Sequence, residues 1–265
     1  MYFEIRDFSV LSRAATIPWA RRKIIYINMI SHPTISVVIP AYNEEKYLGD
    51  CLESLKNQSL HRSNYELIVV DNNSNDKTAQ IAESFGARVV GCQTQGVAAA
   101  RAVGSEAAYG EIIAGTDADT TVSKNWLEKI LSHFQGDHEL AGLTGPAYLK
   151  KTNFLFSKSS YIVFDVFQRF NFLIGKPTFS GFNYAVRADI YKRIGGINPD
   201  LASAEDIDLS FRLAKEGKVA YFTDVLVYTS ARRIRKDPVG FFSHNLRNYY
   251  RMMVGKQPEA FKPIR

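Results

Sequence analysis

Asp117-Ala-Asp119 sets two carboxylates one small residue apart, close enough in a turn to face the same side. Such a pair suits a hard divalent cation, Mg²⁺ or Mn²⁺, which takes oxygen ligands and keeps positions open for phosphate oxygens. Held there, the cation can neutralise a departing phosphate group. The same triplet also occurs in ordinary surface turns, so its meaning depends on the apolar run before it, Glu111-Ile-Ile-Ala-Gly115. A second group of acids, Glu205-Asp206-Ile-Asp208, opens a helix. The helix dipole favours carboxylates in a first turn, which accounts for Asp208 and in part for Glu205. Asp206, close in sequence to Gly195-Gly196, can instead be held toward a cleft as a general base. Pro40-Ala-Tyr-Asn-Glu44 offers an aromatic ring for stacking, a backbone turn and the start of a helix. Asp71 can accept a hydrogen bond from the N–H of a base, and Arg101 can donate to a phosphate. The structural alternatives are a half-buried turn residue for Tyr42 and a solvated helix face for Arg101.

The elements that must position these groups follow from periodicity. Ile35–Ile39 is a short apolar run stopped by Pro40, as in a buried parallel strand. Asn43 is placed to cap a helix whose Leu48, Cys51, Leu52 and Leu55 form one stripe. Tyr65–Val70 is a second strand, ending in the polar loop Asp71–Asp76, and Arg88–Cys92 a third. Gly96–Tyr109 is Ala-rich and helical, Glu111–Gly115 is a fourth strand, and Ser123 is placed to cap a helix carrying Trp126, Leu127, Ile130 and Phe134. This alternation predicts right-handed βαβ units and a parallel sheet covered on both faces. Ligands on such sheets sit beyond the carboxyl ends of the strands, where Pro40–Glu44, Asp71–Asp76 and Asp117–Asp119 all fall. Further on, Leu140–Leu149, Asn183–Arg187 and Val219–Tyr228 read as strands and Asp206–Glu216 as a helix. From Asp237 an amphipathic segment with Phe241, Phe242, Leu246, Tyr249 and Tyr250 reads as a terminal helix.

Placement of charge divides the chain. The 265 residues carry a net +6. Residues 232–265 hold nine Lys and Arg against Asp237 and Glu259, and residues 1–33 hold five against Glu4 and Asp7. The expected organisation is an N-terminal extension over 1–33, a main domain over 34–231 and a basic C-terminal extension over 232–265. Within the main domain a nucleotide-binding half spans 34–120 and an acceptor half 121–231. Basic ends on a mildly acidic body suit an anionic partner such as a phosphorylated ligand or a membrane face; a solvated surface is the alternative. Nucleic acid has no motif behind it. The most apolar stretch, Phe154–Ile174, is broken by Lys158, Asp165 and Arg169, and the first residues lack the pattern of a signal peptide. Cys51 and Cys92, with no CxxC, read as buried thiols. Together these suggest a cytoplasmic protein, seated peripherally on the cytoplasmic membrane if the basic ends meet lipid.

Four segments occur in a telling order: Ile35-Ser-Val-Val-Ile-Pro-Ala-Tyr-Asn-Glu44, Val69-Val-Asp-Asn-Asn-Ser-Asn-Asp76, Asp117-Ala-Asp119 and Glu205-Asp206-Ile-Asp-Leu-Ser-Phe-Arg-Leu213. Over about residues 34–230 the chain resembles the family 2 glycosyltransferases of GT-A fold. The resemblance implies a Rossmann-like α/β architecture, a mixed but mostly parallel sheet flanked by helices, here with the C-terminal helical extension. It implies an inverting enzyme moving a sugar from a nucleotide-diphosphate sugar, a UDP-sugar on the Asp71 loop, to a hydroxyl of a glycan or lipid-linked glycan. It puts Pro40, Ala41, Tyr42 and Glu44 around the nucleoside, Asp71 on the base, Asp117 near the ribose and Asp119, across Ala118, on the metal. Gly181, Phe182 and Asn183 fall beside donor sugar and acceptor, Asp206 where the family's base stands, and Glu205 against acceptor or sugar. One feature departs from the pattern. Many GT-A enzymes place a metal-binding His after the last strand, but Val227-Tyr-Thr-Ser-Ala-Arg-Arg233 contains none. Either the metal rests on Asp119, diphosphate and water, or Arg232 or Arg233 contacts the diphosphate and partly replaces it; a basic surface strip is the bland alternative. A polyprenyl phosphate acceptor and a non-catalytic nucleotide-binding or scaffold protein remain as other readings. A nucleotidyltransferase is disfavoured because Pro40–Glu44 has no glycine to cradle phosphate.

Overall fold

The computed structural model describes residues 33–260. All but the last residue of the expected N-terminal extension, and residues 261–265, lie outside them. The first half alternates as its sequence predicts: β1 (Ile35–Ala41), α1 (Leu48–Lys56), β2 (Tyr65–Asp71), α2 (Thr78–Ser84), β3 (Arg88–Gly91), α3 (Val97–Glu106) and β4 (Ile112–Gly115). Then come β5 (Thr121–Val122), α4 (Trp126–Gly136), β6 (Leu140–Thr144), β7 (Ala147–Lys150), α5 (Phe154–Leu173), β8 (Tyr184–Arg187) and α6 (Ala188–Arg193). The chain continues through α7 (Glu205–Leu213), β9 (Lys218–Tyr221), β10 (Val227–Ser230), α8 (Arg232–Lys236) and α9 (Pro238–Met253).

Seven strands form one sheet in the order β3-β2-β1-β4-β8-β6-β9. Only β8 runs antiparallel to its neighbours, β4 and β6. Alternate side chains of β1 feed two cores. Ile35, Val37 and Ile39 pack with Leu48, Leu52 and Leu55 of α1 and with Trp126 and Ile130 of α4. Val38 packs on the other face with the alanines of α3 and with Leu209 and Leu213 of α7. Burial on both faces explains why β1 reads as an unbroken apolar run. The chain steps outward from β1 to β3, then returns through α3 to pair β4 on the other side of β1. That reversal opens a crevice beyond the carboxyl ends of β1 and β4. Residues 42–44 and 116–119 border it.

Two expected strands are each split in two. Leu140–Leu149 becomes β6 in the large sheet and β7 in a small one ordered β5-β10-β7. The break falls at Gly145-Pro146, because proline cannot donate to a ladder and the backbone at Gly145 lies against the Val225 carbonyl. Val219–Tyr228 likewise divides into β9 and β10, one in each sheet. Neither expected cap forms. Helix α1 starts after Tyr47 and α4 after Asn125, both without a side-chain cap. Asn43 instead takes a positive φ of 55°. The aromatic stretch 153–175 is a single helix, α5, capped by Asn153. Strands from either side of residue 120 share the large sheet, and residues 232–260 pack back onto the body through Asn248. That side chain is buried and donates to Ser203 Oγ at 2.7 Å. Among the described residues no helix is long and apolar enough to cross a membrane.

Candidate active site

The loops after β1 and β2 are laced together. Asn43 N–H donates to Ser74 Oγ (3.0 Å), Asn75 N–H to Asn43 Oδ1 (2.9 Å) and Glu44 N–H to Thr78 Oγ1 (2.9 Å). Asp71, half-buried at the end of β2, accepts from Ser74 N–H at 3.1 Å. Its neighbour Asn72 is buried and fixes the next strand end: it donates to the carbonyls of Cys92 and Thr94 and accepts from Gly96 N–H. The result is a preformed rim in which Pro40 and Ala41 are strand residues and Tyr42 projects at the edge, 36% exposed.

Beneath the crevice lies Arg101. The sequence allowed it a solvated helix face or a phosphate; the structure shows it buried, not solvated. Helix α3 is buried nearly all round by small residues, and the Arg101 side chain is only 5% exposed. Its Nη2 lies 2.5 Å from Asp117 Oδ1 and its Nη1 contacts Glu205 Oε1. Asp117 and Glu205, far apart in sequence, are therefore tied to one cation. Burial works against the charge, but Asp117 and Glu205 raise the affinity of Arg101 for its proton well beyond the ordinary value. Tyr184, stacked on Gly115 where any side chain would overlap its ring, closes the floor below it.

Asp206 follows Glu205 into α7, whose entry is bent by a positive φ of 56° at Ala204. Its Oδ2 accepts from Gly181 N–H at 2.6 Å. Burial first, then the charge of Glu205, push its carboxyl up to about 7, against the pull of Arg101 and two backbone N–H groups. Gly181 has no room for a side chain, because a Cβ there would meet the Arg101 guanidinium, 2.6 Å from Cζ. That guanidinium is pinned by two carboxylates and cannot swing aside.

Asp119 and Glu44 share a second arginine. Arg232 engages both oxygens of Glu44, one at 2.9 Å through Nη1, and places Nε 2.9 Å from Asp119 Oδ2. Its guanidinium lies over the Tyr47 ring, 5.0 Å from the centroid. Asp119 is itself raised to about 6, by burial and then by the charge of Asp117. Arg233, the other expected diphosphate contact, is exposed on α8. Asn183 turns away from the crevice. Fully buried, it accepts from Trp126 Nε1 at 2.9 Å and donates to the carbonyls of Pro146 and Val225. It joins the two sheets instead of facing a sugar. Phe182 is half-buried, its carbonyl accepting from Thr116 Oγ1 and its ring 6.1 Å from that of Phe164.

Some residues with a part in this arrangement escaped the sequence reading. Gln168 of α5 is buried, accepts from Thr178 Oγ1 at 2.5 Å and donates to Ser180 Oγ, fixing the segment that carries Gly181. Lys150, half-buried, has its proton affinity lowered by burial while the charge of Asp119 opposes the change. A polar residue midway along an apolar helix was the available signal for Gln168.

The donor set suits a hard cation in part. Asp119 and Asp117 present carboxylate oxygens, and a guanidinium already stands as a positive charge on Asp119. Among the described residues no group of three or more His, Cys, Asp or Glu side chains is arranged to hold a metal. One aspartate would anchor the ion, with phosphate and water completing its shell.

A mostly parallel sheet with an acidic pair at its switch point is an α/β arrangement of GT-A type. The structure superposes on Staphylococcus aureus TarS 1-349 in complex with UDP-GlcNAc, with a TM-score of 0.61 and 22% identity over 74% of this chain and 58% of that one. It superposes on the mannosyltransferase PcManGT from Pyrobaculum calidifontis in complex with GDP-Man and Mn²⁺ with a TM-score of 0.63, at 19% identity over 92% of this chain and 72% of that one. At such identities these likenesses speak for the fold. The sequence is 30% identical to Glycosyltransferase AglE of Haloferax volcanii over 76% of this chain and 68% of that protein. Several other curated relatives are matched over half their length or less. The chain belongs to glycosyl transferase family 2, whose pattern matches residues 36–195. It is a glycosyltransferase. Glu205, Asp206 and Arg232 lie beyond the matched stretch, so their placement rests on geometry.

Proposed function

We propose that the protein transfers a sugar, with inversion, from a nucleotide-diphosphate sugar to an acceptor hydroxyl of a glycan or lipid-linked glycan. The observation that carries this reading is the shared Arg101. By contacting both Asp117 and Glu205 it ties the acidic pair of the switch point to the start of α7, where Asp206 follows Glu205. The nucleoside lies on the rim of Pro40, Ala41, Tyr42 and Glu44, with Asp71 accepting from the base. Asp117 and Ala118 line the ribose side. Asp119 holds the divalent cation, Mg²⁺ or Mn²⁺, which when bound offsets the charge of the leaving diphosphate. Asp206 takes the proton of the attacking hydroxyl. Its raised pKa matches it to that task near neutrality, and the N–H groups of Gly181 and Ile207 orient its two oxygens. The acceptor oxygen bonds to the anomeric carbon as the nucleotide diphosphate leaves from the opposite face, so configuration inverts. A single carboxylate suffices because the leaving group is good. Arg101 is a positioning residue: it holds Glu205 beside the base and the strand-end acids in register.

A peripheral seat on an anionic cytoplasmic membrane face is part of this reading. The buried face of α9 centres on polar Asn248, while Val239, Phe242, Leu246 and Tyr250 point outward. Ile162, Val163, Val166 and Phe170 of α5 are exposed likewise, and the two helices meet through Phe167 and Tyr249, ring centroids 5.5 Å apart. An apolar stripe flanked by cations is the form that interfacial helices take. The same stripe, with Lys151 over the Tyr47 ring, favours a polyprenyl phosphate as the second candidate acceptor. A screen of nucleotide sugars with Mn²⁺, reading freed nucleoside diphosphate, tests the donor. A UDP-sugar is expected to give the highest turnover, and equal turnover with GDP- or TDP-sugars would overturn the role of Asp71. Labelled transfer to hydroxyl-ended against phosphate-ended lipid then separates the two acceptors.

A further inference from the structure

Arg232 sits on the carboxylate proposed to anchor the divalent cation. Its Nε lies 2.9 Å from Asp119 Oδ2, and the same guanidinium grips both oxygens of Glu44. Both carboxylates are nearly buried, with side chains 11% and 12% exposed. Buried carboxylates need a compensating charge, and the pair has one built in. A metal ion bonded to Asp119 at about 2.1 Å would stand close to the positive charge of the guanidinium on the same carboxylate, and the two cations repel.

We infer that Arg232 is a donor-sensing counter-cation: it occupies Asp119 until a diphosphate draws it away, so that metal and nucleotide load together. This rests on the reading of Asp119 as the metal anchor. Three features fit the exchange. A guanidinium fork suits the oxygens of a diphosphate as well as it suits a carboxylate, so the arginine gains as much in its second position as it gives up in its first. The Tyr47 ring under it, 5.0 Å from centroid to Cζ, offers a flat support over which the side chain can turn without losing contact. Arg232 opens α8 directly after β10, with its own N–H donating to Ser230 Oγ at 3.2 Å, so the backbone stays fixed while the side chain moves. The arrangement also answers the missing histidine. With the guanidinium on the diphosphate and the cation on Asp119, two positive charges face the leaving group from this chain's own side chains and one ion. Glu44, released by the same movement, turns to the nucleoside side of the rim.

The test is Mn²⁺ binding to the full chain, read from the electron paramagnetic resonance of free Mn²⁺, without turnover. Parent, Arg232→Gln and Asp119→Asn proteins are titrated with Mn²⁺ alone and with Mn²⁺ plus UDP. The parent is expected to bind Mn²⁺ weakly alone and at least tenfold more tightly with UDP. Arg232→Gln is expected to bind Mn²⁺ alone at least tenfold more tightly than the parent, with the gain from UDP reduced. Equal or weaker binding of Mn²⁺ alone by Arg232→Gln overturns the inference. Asp119→Asn that binds Mn²⁺ plus UDP like the parent overturns the anchor reading instead, so the two failures are distinct. If Arg232→Gln does not fold, Arg232→Lys, which reaches one carboxylate only, is expected to give a smaller gain of the same sign, and no gain from it counts against the inference equally.

Discussion

Replacing Asp206 by asparagine removes the proposed base yet leaves an oxygen to accept the Gly181 N–H. It is expected to produce a protein that is inactive and, at alkaline pH, more stable. The folded carboxyl sits at about 7, whereas an unhindered aspartate ionises at about 3.9. Between those values the folded chain keeps a proton that the unfolded chain has lost. The stability attached to that proton is fully present below pH ~4 and disappears as pH rises through about 7. Above that, the carboxylate is a poorly solvated charge beside Glu205. A difference of ~3 pH units bounds the cost at ~4 kcal/mol. Water reaching the half-buried group screens much of it, leaving on the order of 1–2 kcal/mol. For a domain of this size that is a rise in Tm of roughly 3–6 °C at pH 8 and almost none at pH 4. Calorimetry of both proteins across that range measures it. Release of nucleoside diphosphate measures the accompanying loss, at least ~10²-fold in kcat. In the parent, kcat should rise with pH through neutrality, because the base must be ionised. A variant less stable than the parent at pH 8, or a parent whose kcat falls over that range, refutes the reasoning.

Three more outcomes are expected. Arg101→Met leaves Glu205 buried without a counter-charge and should cost ~3–5 kcal/mol in urea unfolding, part of which Arg101→Met/Glu205→Leu restores; no recovery in the double variant argues against a charge-based role. Gly181→Ala forces a methyl against the pinned guanidinium and should cost ~1–3 kcal/mol with a drop in kcat, so a neutral result in both assays contradicts the packing described. Flotation with vesicles rich in anionic lipid should fall when Phe242 and Leu246 become serine and when salt is raised, since surface attraction is screened within ~8 Å at physiological ionic strength. Retention indifferent to both changes removes the membrane-facing role of α9.

The sequence disclosed the first four strands because parallel strands buried on both faces are written as apolar runs, and their ends are marked by Pro40, Asp71 and Asp117. The burial of Arg101 was legible too, though in a less obvious way. Ala98, Ala99, Ala100, Ala102 and Gly104 make α3 small on every side, and such a helix is buried, so a charge within it must be paired. What paired it was not legible, because Glu205 is 104 residues away. The clamp of Arg232 on Glu44 spans 188 residues and left no trace in spacing. Asn183 failed for a different reason. Its position beside Gly181 and Phe182 suggested the crevice, but those two residues form a turn closed by the Asn183 N–H on the Ser180 carbonyl at 2.8 Å, and Asn183 enters the core after it. In α9 the apolar stripe was visible; that it faces outward depends on Asn248 reaching Ser203, a tertiary contact.

The structure of a complex with an intact nucleotide sugar and Mn²⁺ tests the central geometry most directly. Diphosphate is expected beside Asp119, with the anomeric carbon turned toward the Asp206 carboxylate and space for one hydroxyl between them. A donor bound with its sugar on the far side of Arg101 from Asp206, or seated away from the ends of β1 and β4, would contradict it.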